Sequence, residues 1–426
     1  MTVYELLAAP APSKVLPLVH LLNATSNATL ETSDLRYFSV VDVQHHPTWW
    51  PITGAKLLFF ARRSVRGPPG ALPVLRSLTT WLLGLSGPHS THLTLLSDRP
   101  VVEDYALASN LDVVLFANSS NRHGTLYALG GHHLKWDERK GYSQLGRHHG
   151  SRLQPRDGLH LLRASSLQQV TAGAWMPWNQ SLPTVSPLRA HRLRASESAL
   201  AAAIARGSMS RKDSIVISGR HPGCQEVFNR YAPVCFFDSK MSLARFRGRY
   251  LVFARANLAE RGGGRFVQVA GSVADDPAGP YGPFKLVEVS GYRALRQGNV
   301  YTAGVREHPL DADMLMGLFS VNEGVAGKVN RDGRCYIALA LSCDGHHWSK
   351  FVPLLSTAGM RGRTFDQPVG GLVYRGSNVH FFVHRDVPQI SQAAPTASRL
   401  ERYTFDAAAL LRFTTATKAE LACAKA

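Results

Sequence analysis

Residues 238–289 read DSKMSLARFRGRYLVFARANLAERGGGRFVQVAGSVADDPAGPYGPFKLVEV, and this stretch decides the fold. It contains four short apolar runs, at residues 239–246, 249–254, 265–271 and 284–289. Arg247-Gly248, a run of three glycines and a segment rich in Pro and Gly separate the four runs. Short runs rich in Val, Phe and Tyr between such clusters are typical of antiparallel strands joined by hairpins. Four such strands in about 50 residues predict one blade of a β-propeller.

The same pattern recurs along the chain. The predicted blades that start at Asp238, Asn299 and Asp366 are spaced by 61 and 67 residues. Extending this spacing backwards places two earlier starts near Tyr37 and Asp112. The sequence therefore predicts an all-β fold, a five-bladed β-propeller with short helical inserts. Six blades and a pair of β-sandwiches are the alternatives, and the even spacing favours the propeller.

A repeat of this kind predicts one closed core without separable domains. The expected organisation is an irregular N-terminal lead-in over residues 1–35, a single propeller domain over 36–415 and a C-terminal tail over 416–426. Residues 409–413 are predicted to form the last strand of the last blade. A short helix is predicted over 196–206, where Ser196 is a suitable cap and Gly207 a suitable stop.

The chain of 426 residues is strongly basic, with 48 Lys and Arg against 30 Asp and Glu and a formal net charge of +18. One interpretation is an anionic partner, such as a sulfated or uronic polysaccharide or a phosphate. The alternative is that arginines are spread over a solvated surface, since no dense basic run occurs. We expect no nucleic-acid partner and a monomeric protein.

No window of 18 apolar residues is present, so the sequence predicts no membrane-spanning helix. Residues 15–22 make a poor signal peptide, because the charge of Lys14 comes late and His20 interrupts the apolar run. Four Asn-x-Ser/Thr sequons leave a secretory route open, and localisation stays undetermined. Cys224 and Cys235 bracket a loop and are predicted either to form a disulfide or to be two buried thiols.

Residues 342–348 read SCDGHHW and predict a strand end, a tight turn and an aromatic residue that opens the next strand. Asp344 can accept bonds from its own loop amides, Gly345 can supply a positive φ, and Trp348 can pack between blades. This S-x-D-G-x-x-W turn resembles the outer turns of the five-bladed propeller glycosidases of the arabinanase, xylosidase and fructosidase type. It differs from the related Asp-box of sialidases by one residue between Asp and Gly. The resemblance extends over residues 37–413 in layout and is specific in residues only over 224–384.

The resemblance implies hydrolysis of glycosidic bonds in an oligo- or polysaccharide. Such chemistry needs two carboxylates, one protonated as an acid and one ionised as a base or nucleophile. In a propeller the first residues of the innermost strands point at the mouth of a central pocket, which makes candidates of Asp42, Asp112, Asp238, Asn299 and Asp366. We expect the catalytic set to be Asp238, Asp366 and Glu226. An aspartate before a strand also has the alternative role of a turn or cap residue.

The remaining predicted substrate-binding residues are polar side chains at strand starts or strand ends: Asp42, Arg255, Asn257, Asn299, His384 and Arg385. Trp49-Trp50 could stack on a sugar ring, and buried packing is the alternative. The four His-His pairs lack the H-x-x-x-H spacing of zinc sites, so the sequence predicts no metal. It also contains no motif for a nucleotide cofactor or a serine hydrolase in the right strand–helix context, so no cofactor is expected.

Three further functions stay open at this point. A glycan-binding propeller without catalysis would have aromatics and arginines at its pocket with a single acid. A glycoside phosphorylase would use one acid and hold phosphate with Arg and His, and the basic charge balance favours it. A protein-interaction propeller would have a flat face and no pocket.

Overall fold

The computed structural model describes residues 12–17, 20–22, 29–31, 35–50, 54–66, 75–85, 92–102, 110–117, 123–131, 134–137, 141–144, 158–177, 215–218, 237, 240–258, 264–292, 298–323, 334–357, 364–388 and 398–423. Most of these residues lie in strands, which form five sheets of four or more strands and one two-stranded sheet. The two-stranded sheet pairs His20–Leu22 with Thr29–Glu31.

The five large sheets are numbered here in chain order. Sheet 1 consists of Leu35–Asp42, Leu57–Arg66, Leu75–Leu85, Thr94–Leu95, Leu134–Asp137 and Gly141–Gln144. Sheet 2 consists of Asp112–Phe116, Thr125–Gly131, Gly158–Ala164, Met176–Pro177 and Ile215–Ser218. Sheet 3 consists of Ser242–Phe246, Arg249–Leu258, Gly264–Gly271 and Lys285–Leu286. Each sheet therefore begins with a strand that pairs with the next strand along the chain.

The last two sheets also recruit strands from outside their own stretch of chain. Sheet 4 consists of Gly298–His308, Asp311–Glu323, Cys335–Ser342, His347–Trp348 and Val352–Ser356, with Glu288–Val289 added in parallel beside His347–Trp348. Sheet 5 consists of Thr364–Pro368, Val373–Arg375, Asn378–Pro388 and Arg399–Asp406, with Pro12–Pro17 added at its edge. Among the described residues, the helical elements are the 3-10 turn Pro47–Trp49 and the α-helices Leu167–Thr171 and Ala407–Glu420.

The first strands of the five sheets line a common axis, and in sheets 1 to 4 each contacts the first strand of the next sheet. The ring closes between sheets 5 and 1, where Val40 N donates to Gly370 O over 2.7 Å and Gly370 N donates to Phe38 O over 3.0 Å. This arrangement is a β-propeller, which confirms the predicted fold. The count of five blades stays a prediction that agrees with the number of large sheets.

Two ends of the propeller are distinguished below. The start face is the end at which the first strands begin, and the end face is the end at which they finish. At the end face, two-residue turns join the first strand to the second in sheets 3 and 4, at Arg247-Gly248 and Pro309-Leu310, whereas residues 43–56 separate these strands in sheet 1. Residues 324–334 separate the second strand of sheet 4 from the third. Long connections carry function more often than tight turns do, and both faces have them.

The hydrophobic core lies between neighbouring sheets. The predicted packing of Trp348 is confirmed, because its ring centroid lies 5.2 Å from that of Phe319 in sheet 4 and 5.9 Å from that of Phe253 in sheet 3. Trp348 is only 1% exposed. Gly345 has the predicted positive φ, at 83°. The turn motif therefore joins two sheets, as its sequence suggested.

Two parts of the predicted strand pattern are wrong. Residues 409–413 lie in the helix Ala407–Glu420, because Ala and Leu are strong helix formers and the Asp406 side chain caps the helix by accepting from Ala409 N at 2.8 Å. The outer strand of sheet 5 comes instead from Pro12–Pro17, inside the expected irregular lead-in. The strand Leu75–Leu85 was not predicted at all.

The C-terminal helix is fastened to sheet 4 in three ways. Cys423 forms a disulfide with Cys343, across 80 residues of chain. Lys418 Nζ lies 2.8 Å from a carboxylate oxygen of Asp311. His308 Nε2 lies 2.9 Å from Thr414 Oγ1. The helix crosses the predicted boundary between propeller and tail and belongs to the propeller by these contacts.

Candidate functional site

Asp112, the first residue of the sheet 2 inner strand, lies on the axis and is fully buried. Its carboxylate accepts from Ser39 Oγ in sheet 1 at 3.0 Å and from Leu243 N in sheet 3 at 2.9 Å. Arg306 in sheet 4 donates to both carboxylate oxygens, over 2.7 and 2.8 Å. A Cβ atom on Gly370 of sheet 5 would lie 2.7 Å from the same carboxylate. Asp112 thus meets all five sheets, which is a structural role.

The negative charge of Asp112 is compensated by the nearby positive charges of Arg306 and Lys240. Burial alone would raise the pKa of the Asp112 carboxyl, but Arg306 and Lys240 outweigh it and hold that pKa below its ordinary value. Lys240 Nζ lies 3.4 Å from the carboxylate, and burial lowers the pKa of its own ammonium group. Lys240 also donates to the Ser39 hydroxyl and to Leu111 O. These contacts fill the centre of the ring with paired polar groups.

Backbone strain is concentrated where the inner strands of sheets 1, 2 and 3 begin. Tyr37, Asn110 and Phe237 have φ angles of 52°, 57° and 48°. Residues other than glycine rarely adopt positive φ, and each such residue costs about 1–3 kcal/mol unless its surroundings enforce it. Such strain clusters at active sites and ligand-binding sites. Among the described turns of the end face, Arg247 also has a positive φ, at 49°, so the start face differs in having three such residues close together.

Side-chain contacts tie these three residues together. Arg62 donates to Asn110 Oδ1 at 2.8 Å, and its guanidinium lies 4.3 Å from the centre of the Tyr37 ring. Asn110 Nδ2 donates to Phe237 O at 3.4 Å. The Tyr37 hydroxyl in turn lies 3.3 Å from the hydroxyl of Tyr301 in sheet 4. A polar network therefore crosses the start face from sheet 1 to sheet 4.

Two more arginines reach the ring of Tyr301. The guanidinium carbons of Arg255 and Arg265 lie 5.8 and 5.1 Å from its centre, within the range of cation–π contacts. A cavity of about 10 Å³, enough for roughly one water molecule, lies beside Lys240, Arg255 and Tyr301. We call Tyr37, Arg62, Arg255, Arg265 and Tyr301 the arginine–tyrosine cluster. Forked guanidinium groups suit carboxylate and phosphate ligands.

The predicted binding residues Asn257 and Asn299 flank this cluster. Asn299 Oδ1 accepts from the backbone N of Arg265 at 2.8 Å and so joins sheet 4 to sheet 3. Asn257 pairs through its backbone with Arg265 in the sheet 3 ladder. Of the predicted set, Arg255, Asn257 and Asn299 are thus brought to one part of the start face.

Asp366 lies in the inner strand of sheet 5, also at the start face, with its side chain 5% exposed. Its carboxylate accepts from Asp386 N at 2.9 Å and lies 3.2 Å from Arg385 Nη1. Burial raises the pKa of the Asp366 carboxyl, and Arg385 only partly opposes this. Arg385 also approaches Glu401 to 3.4 Å. Asp366 and Arg385, both predicted site residues, are therefore direct partners.

His384 is 1% exposed, and its ring lies edge-on to Phe38 at 4.8 Å between sheets 5 and 1. Burial, together with the charge of Arg36, lowers the pKa of His384 to about 3. Neither ring nitrogen has a hydrogen-bond partner among the described residues. His384 is therefore a neutral side chain within the packed core beside the start face.

Other predictions fall outside the described residues or at the other face. Asp238, Glu226 and the predicted Cys224–Cys235 disulfide lie outside the described residues, as does the predicted helix over 196–206. Asp42 is the last residue of its strand, at the end face, where it forms an ion pair with Arg375. The expectation that Asp42 points at the mouth formed by the strand starts does not fit this position.

The tryptophan pair also lies at the end face. Trp49 is completely buried and donates to His123 O at 2.8 Å, so it packs in the core. Trp50 is 39% exposed, with Lys56 Nζ 5.0 Å from its ring centre.

A cavity of about 250 Å³ opens at the end face. Of its charged lining residues, Asp42, Arg245 and Arg306 are already paired, respectively with Arg375, Asp275 and Asp112. The fourth, Glu307, has a carboxyl whose pKa burial raises and Arg245 only partly lowers. Ligand pockets are typically roughly 300–1,000 Å³ with convergent polar groups. We place the candidate site at the start face because three of the four charged side chains of this cavity are already paired and the arginine–tyrosine cluster lies at the start face.

Sequence reasoning missed Tyr37, Arg62, Asn110, Lys240 and Arg265 as site residues. Arg62 and Arg265 are charged residues within predicted strands that are otherwise largely apolar. A charged residue at such a position is the sequence feature that could have identified them.

No protein-family profile matches this chain, and no curated protein matches it. Solved structures of similar layout include an α-L-arabinofuranosidase from Podospora anserina in complex with cellotriose, which is 10% identical with a TM-score of 0.48 and covers 94% of this chain and 99% of its own. The catalytic domain of an α-L-arabinofuranosidase from Coprinopsis cinerea is 11% identical with a TM-score of 0.47 over 93% and 98%. A mannose phosphorylase from Leishmania mexicana in complex with phosphate ion is 10% identical with a TM-score of 0.44 over 95% and 91%. At such identities the likeness concerns chain layout alone.

Among the helices that the structure describes, none combines the length and the apolar character needed to cross a membrane.

Proposed function

We propose that this protein is a carbohydrate-active enzyme that cleaves glycosidic bonds at the start face of its propeller. The observation that carries the proposal is the occurrence on this one face of strained strand starts, the arginine–tyrosine cluster and a buried carboxyl with a raised pKa. Perturbed titratable groups beside strained backbone are a mark of active sites. Tyrosine rings suit the apolar faces of sugars, and arginine suits their anionic substituents.

Asp366 is the proposed general acid. Glycoside cleavage needs a carboxyl that stays protonated until it donates to the leaving oxygen, and burial favours the protonated form. The direction of the Asp366 pKa shift fits that role. Ser320 Oγ donates to Asp366 O at 3.3 Å and helps to hold the strand in place.

Asp238 is the proposed second carboxylate, with Glu226 as its helper. Asp238 follows Phe237 and comes two residues before Lys240, and both of those residues take part in start-face or axial contacts. The second carboxylate has to lie about 5–9.5 Å from the acid, and the exact separation determines whether configuration is retained or inverted. Arg255, Asn257 and Asn299 are proposed to bind the sugar.

A second candidate function is phosphate-dependent cleavage of the glycosidic bond. Arg62, Arg255 and Arg265 surround two tyrosines, and this concentration of positive charge would suit a phosphate that replaces water as the acceptor. In that case one carboxyl, Asp366, is sufficient for proton transfer. A sugar that itself carries a carboxylate or sulfate would use the same arginines.

The test is a turnover screen against a panel of neutral and uronic oligosaccharides, with and without inorganic phosphate. We expect turnover by the wild type, its loss in Asp366→Asn and Asp238→Asn, and its retention in Asp275→Asn, which changes an exposed carboxylate on the end face. Turnover only with phosphate identifies a phosphorylase. Sugar binding without turnover would refute the enzymatic proposal in favour of a glycan-binding propeller, and absence of binding would refute both.

A further inference from the structure

The outer edge of the molecule holds two histidines and a glutamate where sheets 3 and 4 meet. Glu288 follows the last strand of sheet 3 and pairs in parallel with His347 of sheet 4. Its backbone N donates to His346 O at 2.8 Å, and Ser290 N donates to Trp348 O at 2.9 Å. The backbone positions of Glu288, His346 and His347 are thus fixed relative to one another by strand pairing.

The side chains of these three residues converge on one point. His346 Nδ1 lies 3.3 Å from His347 Nε2, and His347 Nε2 lies 3.6 Å from Glu288 Oε2. All three ligand atoms lie within 4.8 Å of one another. A zinc ion bound at about 2.0–2.1 Å in a tetrahedron holds its ligand atoms roughly 3.3–3.4 Å apart. Two of the three separations are therefore already close to a tetrahedral edge.

The orientation of His347 is set by a fourth residue. Asp344 Oδ2 lies 2.6 Å from His347 Nδ1, and Asp344 Oδ1 accepts from the backbone N of both His346 and His347 at 2.7 Å. A proton on Nδ1 donated to Asp344 leaves a lone pair on Nε2. In that tautomer the Nε2 lone pair is available to a metal ion and lies 3.6 Å from Glu288 Oε2. A carboxylate behind a histidine is the usual support of a metal ligand.

We propose that His346 Nδ1, His347 Nε2 and Glu288 bind a divalent transition-metal cation of the zinc class. Two imidazoles and one carboxylate are a common zinc set, and the fourth tetrahedral position would hold water. The bound cation connects the chain that leaves sheet 3 to the outer turn of sheet 4. The proposal departs from the sequence-based expectation of no metal, which considered spacings between histidines and had no means of finding a glutamate 58 residues before His346.

No other set of three such groups converges in the part of the chain that the structure describes. His45 and His46 form another adjacent pair among those residues, and they provide an internal comparison. His45 is exposed and lies on the end face, outside this cluster. A variant of His45 therefore removes an exposed member of a His-His pair without touching the proposed ligands.

The test uses full-length protein without a polyhistidine tag, freed of metal with a chelator, at pH 8. Zinc is titrated by calorimetry, and Co²⁺ is titrated separately with its visible absorption as a readout of tetrahedral geometry. We expect one equivalent of each ion, with binding weakened about 100-fold or more in His347→Ala and about 10–100-fold in Asp344→Asn. His45→Ala should bind as the wild type does, and zinc should raise the Tm of the wild type but not of His347→Ala.

Glu288→Gln is a second variant, and it keeps the size of the side chain. It tests the loss of a metal ligand in case His347→Ala folds poorly. The proposal is overturned by millimolar zinc affinity in the wild type, by equal affinity in wild type and Glu288→Gln, or by a cobalt spectrum of six-coordinate type. Each of these outcomes would mean that the site is an exposed histidine pair hydrogen-bonded to Asp344 and that it does not bind a metal ion. None of them depends on enzymatic turnover, so this proposal and the proposed function fail or succeed separately.

Discussion

Asp112 and Arg306 form a two-point ion pair on the axis of the propeller, with nitrogen–oxygen distances of 2.7 and 2.8 Å. The carboxylate is completely enclosed and the guanidinium is largely so. Because neither water nor salt reaches this pair freely, removing one partner leaves an uncompensated buried charge. The pair also draws together sheets that are far apart in the sequence.

Replacing Asp112 with Asn is therefore expected to lower the free energy of unfolding by about 3–5 kcal/mol, since Lys240 and Arg306 lose their shared counter-charge. Urea denaturation followed by tryptophan fluorescence measures this loss. The matched control is Asp275→Asn, which breaks the exposed ion pair with Arg245 and should cost about 1 kcal/mol or less. Equal losses in the two variants would contradict the importance assigned to burial.

The disulfide between Cys343 and Cys423 closes 80 residues of chain and ties the C-terminal helix to sheet 4. Its removal in the double variant Cys343→Ala, Cys423→Ala is expected to cost about 2–4 kcal/mol, because the unfolded chain gains entropy. Thermal unfolding with and without reductant measures the effect. Cys335→Ala should keep the sensitivity to reductant, whereas the double variant should lose it. If reductant does not change the Tm of the wild type, the prediction is disproved.

Because of His308, we expect the folded protein to lose stability in acid. Burial lowers its folded pKa from 6.5 to about 4, so the unfolded chain takes up a proton more readily than the folded one. The stabilisation is complete above pH 6.5 and is lost as pH falls towards 4. The full difference is roughly 3 kcal/mol. Unfolding free energies at pH 7.5 and 4.5 should differ less in His308→Asn than in the wild type, while His45→Asn should behave as the wild type. An unchanged pH dependence in His308→Asn would count against this account.

Arg385 is expected to tune the proposed acid, Asp366. Burial raises the pKa of Asp366 and Arg385 lowers it, so Arg385→Gln should raise it further. Activity that needs protonated Asp366 falls as pH rises through this pKa, and the alkaline limb of kcat/KM should therefore move to higher pH in the variant. Arg245→Gln, at the end face, should leave the limb in place. A limb that moves to lower pH in Arg385→Gln would reverse the assigned sign.

Much of the fold could be predicted because its strands are short, rich in β-formers and separated by Gly and Pro. The starts predicted near Tyr37, Asp112 and Asn299 lie within two residues of the observed strand starts. The outer strand of sheet 5 could not be located this way, because Pro12–Pro17 joins residues 399–403 through pairing between chain ends. Local periodicity contains no information about such distant partners.

The candidate site was predictable only in part. Asp366 and Asn299 stood out because polar residues open their strands, whereas Arg62 lies inside a second strand and reaches the start face only through sheet pairing. The pairing of Cys343 with Cys423 depends on where the C-terminal helix docks. Residues that are distant in the sequence come together because of the twist and order of the sheets. The sequence pattern does not specify which residues meet in this way.

The pairing of Pro12–Pro17 with Arg399–Asp406 has a consequence for biosynthesis. A ribosome makes the amino-terminal strand first, and that strand has no native partner until residue 406 has left the exit tunnel. Sheets 1 to 4 can form in order while the chain grows, but sheet 5 and the ring itself are completed only after residues 399–403 are made. Until then the growing chain carries an unpaired β-edge, the kind of surface on which chaperones act and from which misassembly begins.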